Sequence, residues 1–435
     1  MTVSDGGAIA AGLVLVVVAG FLNGSWNASF SPTWGLAVGR KSMVETLTLG
    51  RRRTMTRPSL FSSENDVDLD YHFSWVLFQI YASILNIPVC LYWAGGPQRV
   101  SYIVSESSNT SISLVIVFSV LWGIGSVGFG LACRVAGVGL GTNLTMGVIM
   151  VLGTFLPLAL EGLVLTDAGG VIVGGLVICC VGLYYSMKSL QTRDLDEQQT
   201  KKQTVESNTE ITPASQATKE AVPQEVILEE TSSPSGDCEI DAQGEGARGE
   251  TCTTMEETYS TMHKVAVCVI AAIFASQLQF AFVFGQDMID LAGDDAGPGS
   301  TPPSGTAAVI WLFAIPMGAP ASIAYGFYSS PPQIPLSTMW CCPWYRHLLI
   351  ILTTSVPWVA HIHLYGLANT YLPDDLGASV AWPVLMMITV MAGFLWSIGL
   401  GEWAEASVLA RRQLWMGLVF VTIGVGVIMS SVALS

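Results

Sequence analysis

Ten separate stretches of this chain are apolar over the roughly 20 residues that a helix needs to cross a bilayer. No other feature limits the possible folds so strongly, because inside lipid every backbone N–H and C=O must be bonded within the protein. The stretches run at 7–29, 73–94, 112–133, 140–161, 169–187, 264–285, 306–328, 347–369, 376–400 and 413–433. The unbroken apolar run from Leu114 to Leu165 is long enough for two helices, and its only break is RVAGVGLG at 134–141. Composition agrees: 51% of residues are hydrophobic and 12% charged, about half the charged share of a soluble domain. The mean hydropathy is +0.54. The first stretch lacks a basic leader and is followed by NGSWNAS, not a small-residue cleavage site, so it reads as a true span. The expectation is an integral, multi-pass, all-α membrane protein whose main partner is the lipid bilayer.

Two segments stand apart from the spans. Residues 40–71 open with Arg40, Lys41, Arg51, Arg52, Arg53 and Arg57 and then turn acidic. Residues 188–262 carry 6 Lys/Arg and 16 Asp/Glu, which accounts for most of the formal charge of −15. With few aromatics and much Glu, Thr, Ser, Gln and Pro, this second segment cannot bury enough apolar surface to fold alone. The expected organisation is therefore a first five-helix half at 1–187 with the 40–71 insert, a disordered acidic cytoplasmic tether at 188–262, and a second five-helix half at 263–435. The tether is the place for cytoplasmic partners. The rest of the chain is nearly balanced in charge and offers no basic surface for nucleic acid.

Basic residues also orient the chain. With the N-terminus away from the cytoplasm, the cytoplasmic loops hold 17 of the 18 Lys/Arg, and Arg99 alone falls on the other side. The sequon at Asn109 then lies in an outward loop. Of the nine cysteines, Cys90, Cys133, Cys179, Cys180 and Cys268 sit inside spans, where cysteine acts as a small hydrophobe. Cys341 and Cys342 stand at a span end and are either interfacial packing or palmitoylation positions. No zinc-type spacing occurs, and no cofactor is expected.

A weak internal repeat relates the halves. FGLA at 129–132 precedes LGT at 140–142, as YGLA at 365–368 precedes LGA at 376–378, with eleven residues from Gly130 to Gly141 and from Gly366 to Gly377. Five spans per half make the second half enter the membrane from the opposite side. The expected architecture is thus about ten helices arranged as a 5+5 inverted repeat, with a substrate site near the midplane.

The run LWGIGSVGFGLACRVAGVGLGTNLTMGVIMVLGTFLPLALEG at 121–162 closely resembles the matching stretch of the L-rhamnose–proton symporters, a family of the drug/metabolite transporter superfamily. HIHLYGLANTYLPDDLGASVAWPVLMMITVMAGFLWSIGLGEW at 361–403 and, more loosely, AAIFASQLQFAFVFG at 271–285 extend the resemblance. Neither long insert belongs to it, and both look eukaryotic. The resemblance implies a proton-coupled carrier for a 6-deoxy sugar working by alternating access, so a small neutral sugar and a proton become the expected ligands.

A sugar site within a helix bundle needs hydrogen-bonding side chains for the hydroxyls and aromatic faces for the C–H side of the ring. Trp358, His361, Tyr365 and Asn369 fall on one helical face of the eighth span and meet both needs. Asn23, Trp26 and Asn27 form a shorter stripe on the first span, although amides also join helices to one another. Trp122 and Asn143 in the third and fourth spans, and Gln277 in the sixth, complete the substrate-contact candidates, Gln277 being favoured over Gln279 on position alone. Imidazole titrates nearest neutrality, which makes His361 the first candidate for the coupling proton. His363 lies about 200° away around the same helix and serves as its control. Glu161, Asp287 and Glu402 are the further proton-coupling candidates, each also readable as a solvated carboxylate at a helix end. Arg134 and the acidic pair Asp374 and Asp375 read as headgroup anchor and helix cap.

Other functions remain in view. A metabolite or nucleotide-sugar exchanger of the same superfamily is possible in principle, but the span interiors hold no Lys or Arg for an anion. A non-transporting receptor or scaffold would act through 188–262. No Ser–His pair, HExxH motif or paired intramembrane Asp points to an enzyme, and no catalytic residue is assigned.

Overall fold

A computed structural model describes residues 3–28, 64–136, 138–210, 261–294, 299–329, 344–373 and 377–434. The 40–71 insert up to residue 63, most of the tether, Cys341, Cys342, Asp374 and Asp375 lie outside them. Every long element is a helix. In chain order they are α1 (Val3–Ala28), α2 (Glu64–Trp93), the short α3 (Pro97–Glu106), α4 (Asn109–Ala136), α5 (Val138–Leu160) and α6 (Asp167–Glu210). The second half holds α7 (Thr261–Ala275), α8 (Gln277–Phe284), α9 (Gln286–Gly293), α10 (Ala308–Ser329), α11 (Trp344–Ile350), α12 (Val356–Asn369), α13 (Gly377–Gly399) and α14 (Val408–Ser430).

Among the described residues these helices give ten candidate membrane spans, in the places expected from the apolar runs. Span six, Met262–Gly293, is built from α7, α8 and α9, broken at Ser276 and at Gly285. Span eight, His347–Asn369, joins α11 to α12 through a π-helical turn at Ile351–Ser355. Pro357 follows that turn, and a proline there removes a backbone donor and favours such an irregularity. The long apolar run divides where the sequence places the break, with α4 ending at Ala136 and α5 starting at Val138.

Helices α6 and α14 form the most extensive pairing in the bundle. Next come α4 with α7, α1 with α13 and α12, and α10 with α4 and α2, while α13 also packs on α5. Small residues allow these close approaches, as expected where lipid offers no hydrophobic drive between helices. A Cβ on Gly123 would meet the backbone of Gly318 in α10, and one on Gly125 would meet the backbone of Ala275 in α7. The WGIGSVGFG run is therefore a two-sided packing surface.

One feature departs from the sequence reading. The sequence places the start of the tether at 188, yet α6 continues as helix to Glu210. Leu190, Gln191, Leu195 and Gln199 are good helix formers, and the extension is held by tertiary contacts. Thr192 Oγ1 donates to Gln413 Oε1 at 2.9 Å, Asp196 Oδ2 accepts from the Ser407 N–H at 3.4 Å, and Arg193 lies 5.0 Å from the Trp403 ring centre. Arg99, the basic residue that the loop count sets on the outward side, is fully buried. Its guanidinium donates to the carbonyls of Leu291 (3.0 Å), Ala292 (3.3 Å) and Asp294 and to Thr301 Oγ1 (3.3 Å), so it caps the end of α9, where a cation suits the helix dipole.

Candidate functional site

A cavity of about 100 Å³ lies in the centre of the bundle, lined from spans one to four and six to nine. Spans five and ten supply none of its lining among the described residues. Its walls are mainly aromatic: Trp122, Trp311, Trp358 and Trp382 with Phe78, Phe129 and Tyr365. Trp122 and Trp358 stack across it, with ring centres 5.8 Å apart and planes 17° apart. Each stands close to the middle of its span. Phe78 meets Trp358 edge-on at 5.7 Å, and the His361 ring lies 5.6 Å from Trp358. The Trp382 indole is fixed by donating Nε1–H to the Ile149 carbonyl at 3.2 Å.

The polar groups of the lining are Asn23, Gln79, Ser126, His361 and Tyr365, all buried. Asn23 Nδ2 donates to Thr389 Oγ1 at 3.1 Å, and Gln79 Nε2 donates to Ser126 Oγ at 3.3 Å. The Tyr365 hydroxyl donates to Gln279 Oε1 at 2.8 Å. His361 Nδ1 is buried with no hydrogen-bond partner among the described residues, and so is the amide nitrogen of Gln279. A buried polar atom left unpaired costs about 1–3 kcal/mol, and of these two residues only His361 belongs to the cavity lining. The lining contains no Lys, Arg, Asp or Glu.

Of the substrate-contact residues expected from sequence, the cavity brings together Trp358, His361, Tyr365, Asn23 and Trp122. Three others sit away from it. Asn369, farther along the α12 stripe, donates Nδ2 to the Tyr365 carbonyl at 2.8 Å. Asn143 is buried in α5 but does not line the cavity. Gln277 donates Nε2 to the Ile273 carbonyl at 2.7 Å and stays on its own helix, whereas Gln279 meets Tyr365. The break at Ser276 resets the helical register, which a straight-helix reading cannot anticipate. Trp26 and Asn27 belong to α1, and their side chains lie outside the described residues.

The three carboxylates are also remote from the cavity lining. Glu161 is exposed just past the end of α5. Asp287 Oδ2 accepts the Ser108 N–H at 2.8 Å, tying α9 to the start of α4. Glu402 Oε2 accepts the Ser397 hydroxyl at 2.5 Å beyond α13. Sequence reading missed Gln79, Trp311 and Trp382. Trp311 and Trp382 lie in apolar runs whose inward face can be found only once their neighbours are known, while Gln79 shares a polar stripe with Ser83 and Asn86 that spacing alone could have shown.

Among the described residues, ten candidate membrane spans surround a buried, aromatic cavity with no charged lining residue, the build of an integral, multi-pass membrane protein. It is similar to the L-rhamnose-proton symporter of Escherichia coli (strain K12 / DH10B) and to that of Shigella dysenteriae serotype 1 (strain Sd197), at 27% identity over 114 residues in each case. The matched stretch is 25% of this chain and 30% of each relative, so the chain spans under a third of the length of the curated relatives it matches. No family model matches the chain, and no solved structure does.

Proposed function

We propose that this protein is a secondary carrier that takes up a small neutral sugar, L-rhamnose-like, together with a proton by alternating access. The observation that carries the reading is the cavity: indole and phenyl faces for C–H surfaces, amide, hydroxyl and imidazole groups for hydroxyls, and no charge among its lining residues. Its volume is well below the roughly 300–1,000 Å³ of pockets for drug-sized ligands, which argues against a nucleotide-sugar. The similarity to L-rhamnose-proton symporters favours the 6-deoxy sugar class and proton coupling.

The 5+5 inverted repeat is part of the same proposal, and two observations support it. The step from Gly130 to Gly366, 236 residues, carries Trp122 onto Trp358, Phe129 onto Tyr365, Met146 onto Trp382 and Ile149 onto Leu385, and all eight line the cavity. The packing is also preserved when each span of the first half is exchanged for its counterpart in the second. Span one packs on eight and nine, span six on three and four, and the pairs two–seven, four–nine and five–ten map onto themselves. In such carriers the site lies between the repeats near the midplane, where Trp122 and Trp358 meet. In this reading His361 holds the coupling proton, the N-terminus faces away from the cytoplasm, and 211–262 acts as a cytoplasmic tether.

Purified protein reconstituted into sealed liposomes should accumulate radiolabelled L-rhamnose when the outside is acid, and only equilibrate it without a pH gradient. Equal uptake of L-rhamnose into protein-free liposomes would overturn the substrate. Accumulation indifferent to the gradient would overturn the coupling.

A further inference from the structure

His363, the residue that sequence reading sets aside as inert, lies at the centre of a buried polar tie behind the cavity wall. Its Nε2 is 3.2 Å from Asn86 Oδ1 in α2, and Asn86 Nδ2 donates to the Trp311 carbonyl in α10 at 2.8 Å. Asn86 is fully buried and His363 nearly so. The amide can donate to a carbonyl only through its nitrogen, so its oxygen faces the imidazole, and the contact is a hydrogen bond in the tautomer that carries its hydrogen on Nε2. Cys90, one turn along α2, places its Sγ 3.4 Å from the same Asn86 oxygen and 3.7 Å from His363 Nε2, and Trp93 covers the ring at 5.8 Å. Three helices are thereby joined by a chain that runs from imidazole to amide oxygen and from amide nitrogen to backbone carbonyl.

This chain ends on Trp311, whose indole is a cavity wall stacked on Phe282 at 5.4 Å and set against Tyr365 at 6.3 Å. The tie also has no counterpart in the other half. The 236-residue step that matches the lining places His363 over Val127, whose side chain has no polar atom to bond. We infer that His363 is a positioning residue: through Asn86 it holds Trp311, and with it the width of the cavity, while never touching substrate. The inference rests on the carrier reading for its kinetic consequence but not for its geometric one. His361 and His363 then divide their work, one facing the cavity and one fixing its wall from behind.

The test uses four variants in the full-length protein. Gln at 363 keeps an N–H donor near the Nε2 position, whereas Leu keeps bulk and removes the donor. Asn86→Ala removes the relay, and Asn86→Asp turns the group facing the Trp311 carbonyl into an acceptor. A reporter cysteine, Met146→Cys, on the apolar side of the cavity reads cavity width by its rate of reaction with methyl methanethiosulfonate, scored on the peptide by mass spectrometry. His363→Leu, Asn86→Ala and Asn86→Asp should raise that rate about fivefold or more, and His363→Gln should stay within twofold. In L-rhamnose uptake the same three variants should raise KM about fivefold with the maximal rate near that of the parent, again rescued by Gln. Equal reporter rates in Leu and Gln variants of matched thermal stability would overturn the tie. Changed reporter rates in a protein that moves no L-rhamnose would uphold the tie and reject the sugar.

Discussion

Spans five and ten meet through glycine, whereas spans three and eight meet through tryptophan, and this contrast explains where the molecule is solid and where it is hollow. In the α6–α14 pair, a Cβ on Gly182 would stand 2.8 Å from the Gly417 carbonyl oxygen, and a Cβ on Gly424 would stand 2.5 Å from Cys179 Sγ and 2.8 Å from the Gly175 carbonyl oxygen. The two backbones touch, and neither helix contributes to the cavity lining. At the corresponding central positions of α4 and α12, Trp122 and Trp358 hold the backbones apart by the thickness of two rings. The cavity forms around that spacer. Small residues thus close the bundle at one side and large flat ones keep its centre open, with the same apolar character throughout.

The largest expected effect comes from breaking the closed pair. Gly424→Leu drives a branched side chain into Cys179 and the Gly175 backbone, an overpacking that costs about 3 kcal/mol or more. The variant should lose its monodisperse peak in detergent or unfold at a markedly lower temperature. Gly426→Leu is the internal control, because a Cβ there would have nothing within 4 Å. If both variants behave alike, the glycine contact is not what holds α6 to α14.

The next effect concerns the open pair and spares the fold. His361→Gln keeps hydrogen-bonding capacity beside Trp358 but cannot titrate. Accumulation of L-rhamnose driven by an acid-outside gradient should disappear, while exchange at equal concentrations continues at a comparable rate. Normal accumulation in this variant would move the coupling proton to Glu161, Asp287 or Glu402, none of which lines the cavity. A smaller effect is expected from Trp358→Phe, which shrinks the stacked surface with Trp122. Aromatic pairs add about 0.5–1.5 kcal/mol beyond area burial, so L-rhamnose affinity should fall up to about tenfold. An unchanged affinity, measured as half-saturation of uptake, would mean that the stack is a spacer and not a sugar platform.

How far the sequence carries this picture differs between the two regions. Apolar runs are a one-dimensional signal, so all ten spans can be read directly, including the division near Gly137. The glycines of α4 can be read as packing residues because several recur within one short run. The cavity is half legible: Trp358, His361 and Tyr365 share a helical stripe visible by spacing alone, and that stripe does line it. Trp311 and Trp382 stay hidden because their helices are apolar all round, so no periodicity marks the inward face, whereas Gln79 is legible, since Gln79, Ser83 and Asn86 fall at i, i+4 and i+7 on one face of α2. Gln279 is hidden by the break at Ser276, which turns the following residues to a new face. The burial of Arg99 is not legible, because a charge count by loop cannot see the backbone carbonyls gathered to receive it.

The smallest expected effect lies where the closed pair leaves the bilayer. Helix α6 runs on past its apolar stretch to Glu210, and residues 192–196 lie against the segment between α13 and α14 and the start of α14. Thr192, Arg193 and Asp196 reach Gln413, Trp403 and the Ser407 N–H there, so this extension is continuous with the α6–α14 interface. Ser407 is the N-cap of α14, its hydroxyl accepting the Ala410 N–H at 3.2 Å, and a carboxylate beside a helix start is favoured by about 0.3–1 kcal/mol. Asp196→Ala should therefore lower thermal stability by no more than about 1 kcal/mol and leave L-rhamnose uptake within twofold. Replacing 211–255 with a short Gly/Ser linker removes only sequence beyond these contacts, and should change neither monodispersity nor uptake. A replacement that starts at 195 also deletes Asp196 and should show the Asp196→Ala loss, so comparing the two cuts locates the end of the folded unit. If the 211–255 replacement alone destabilises the protein, the acidic segment contributes to the fold, and the boundary set by the α6 contacts is wrong.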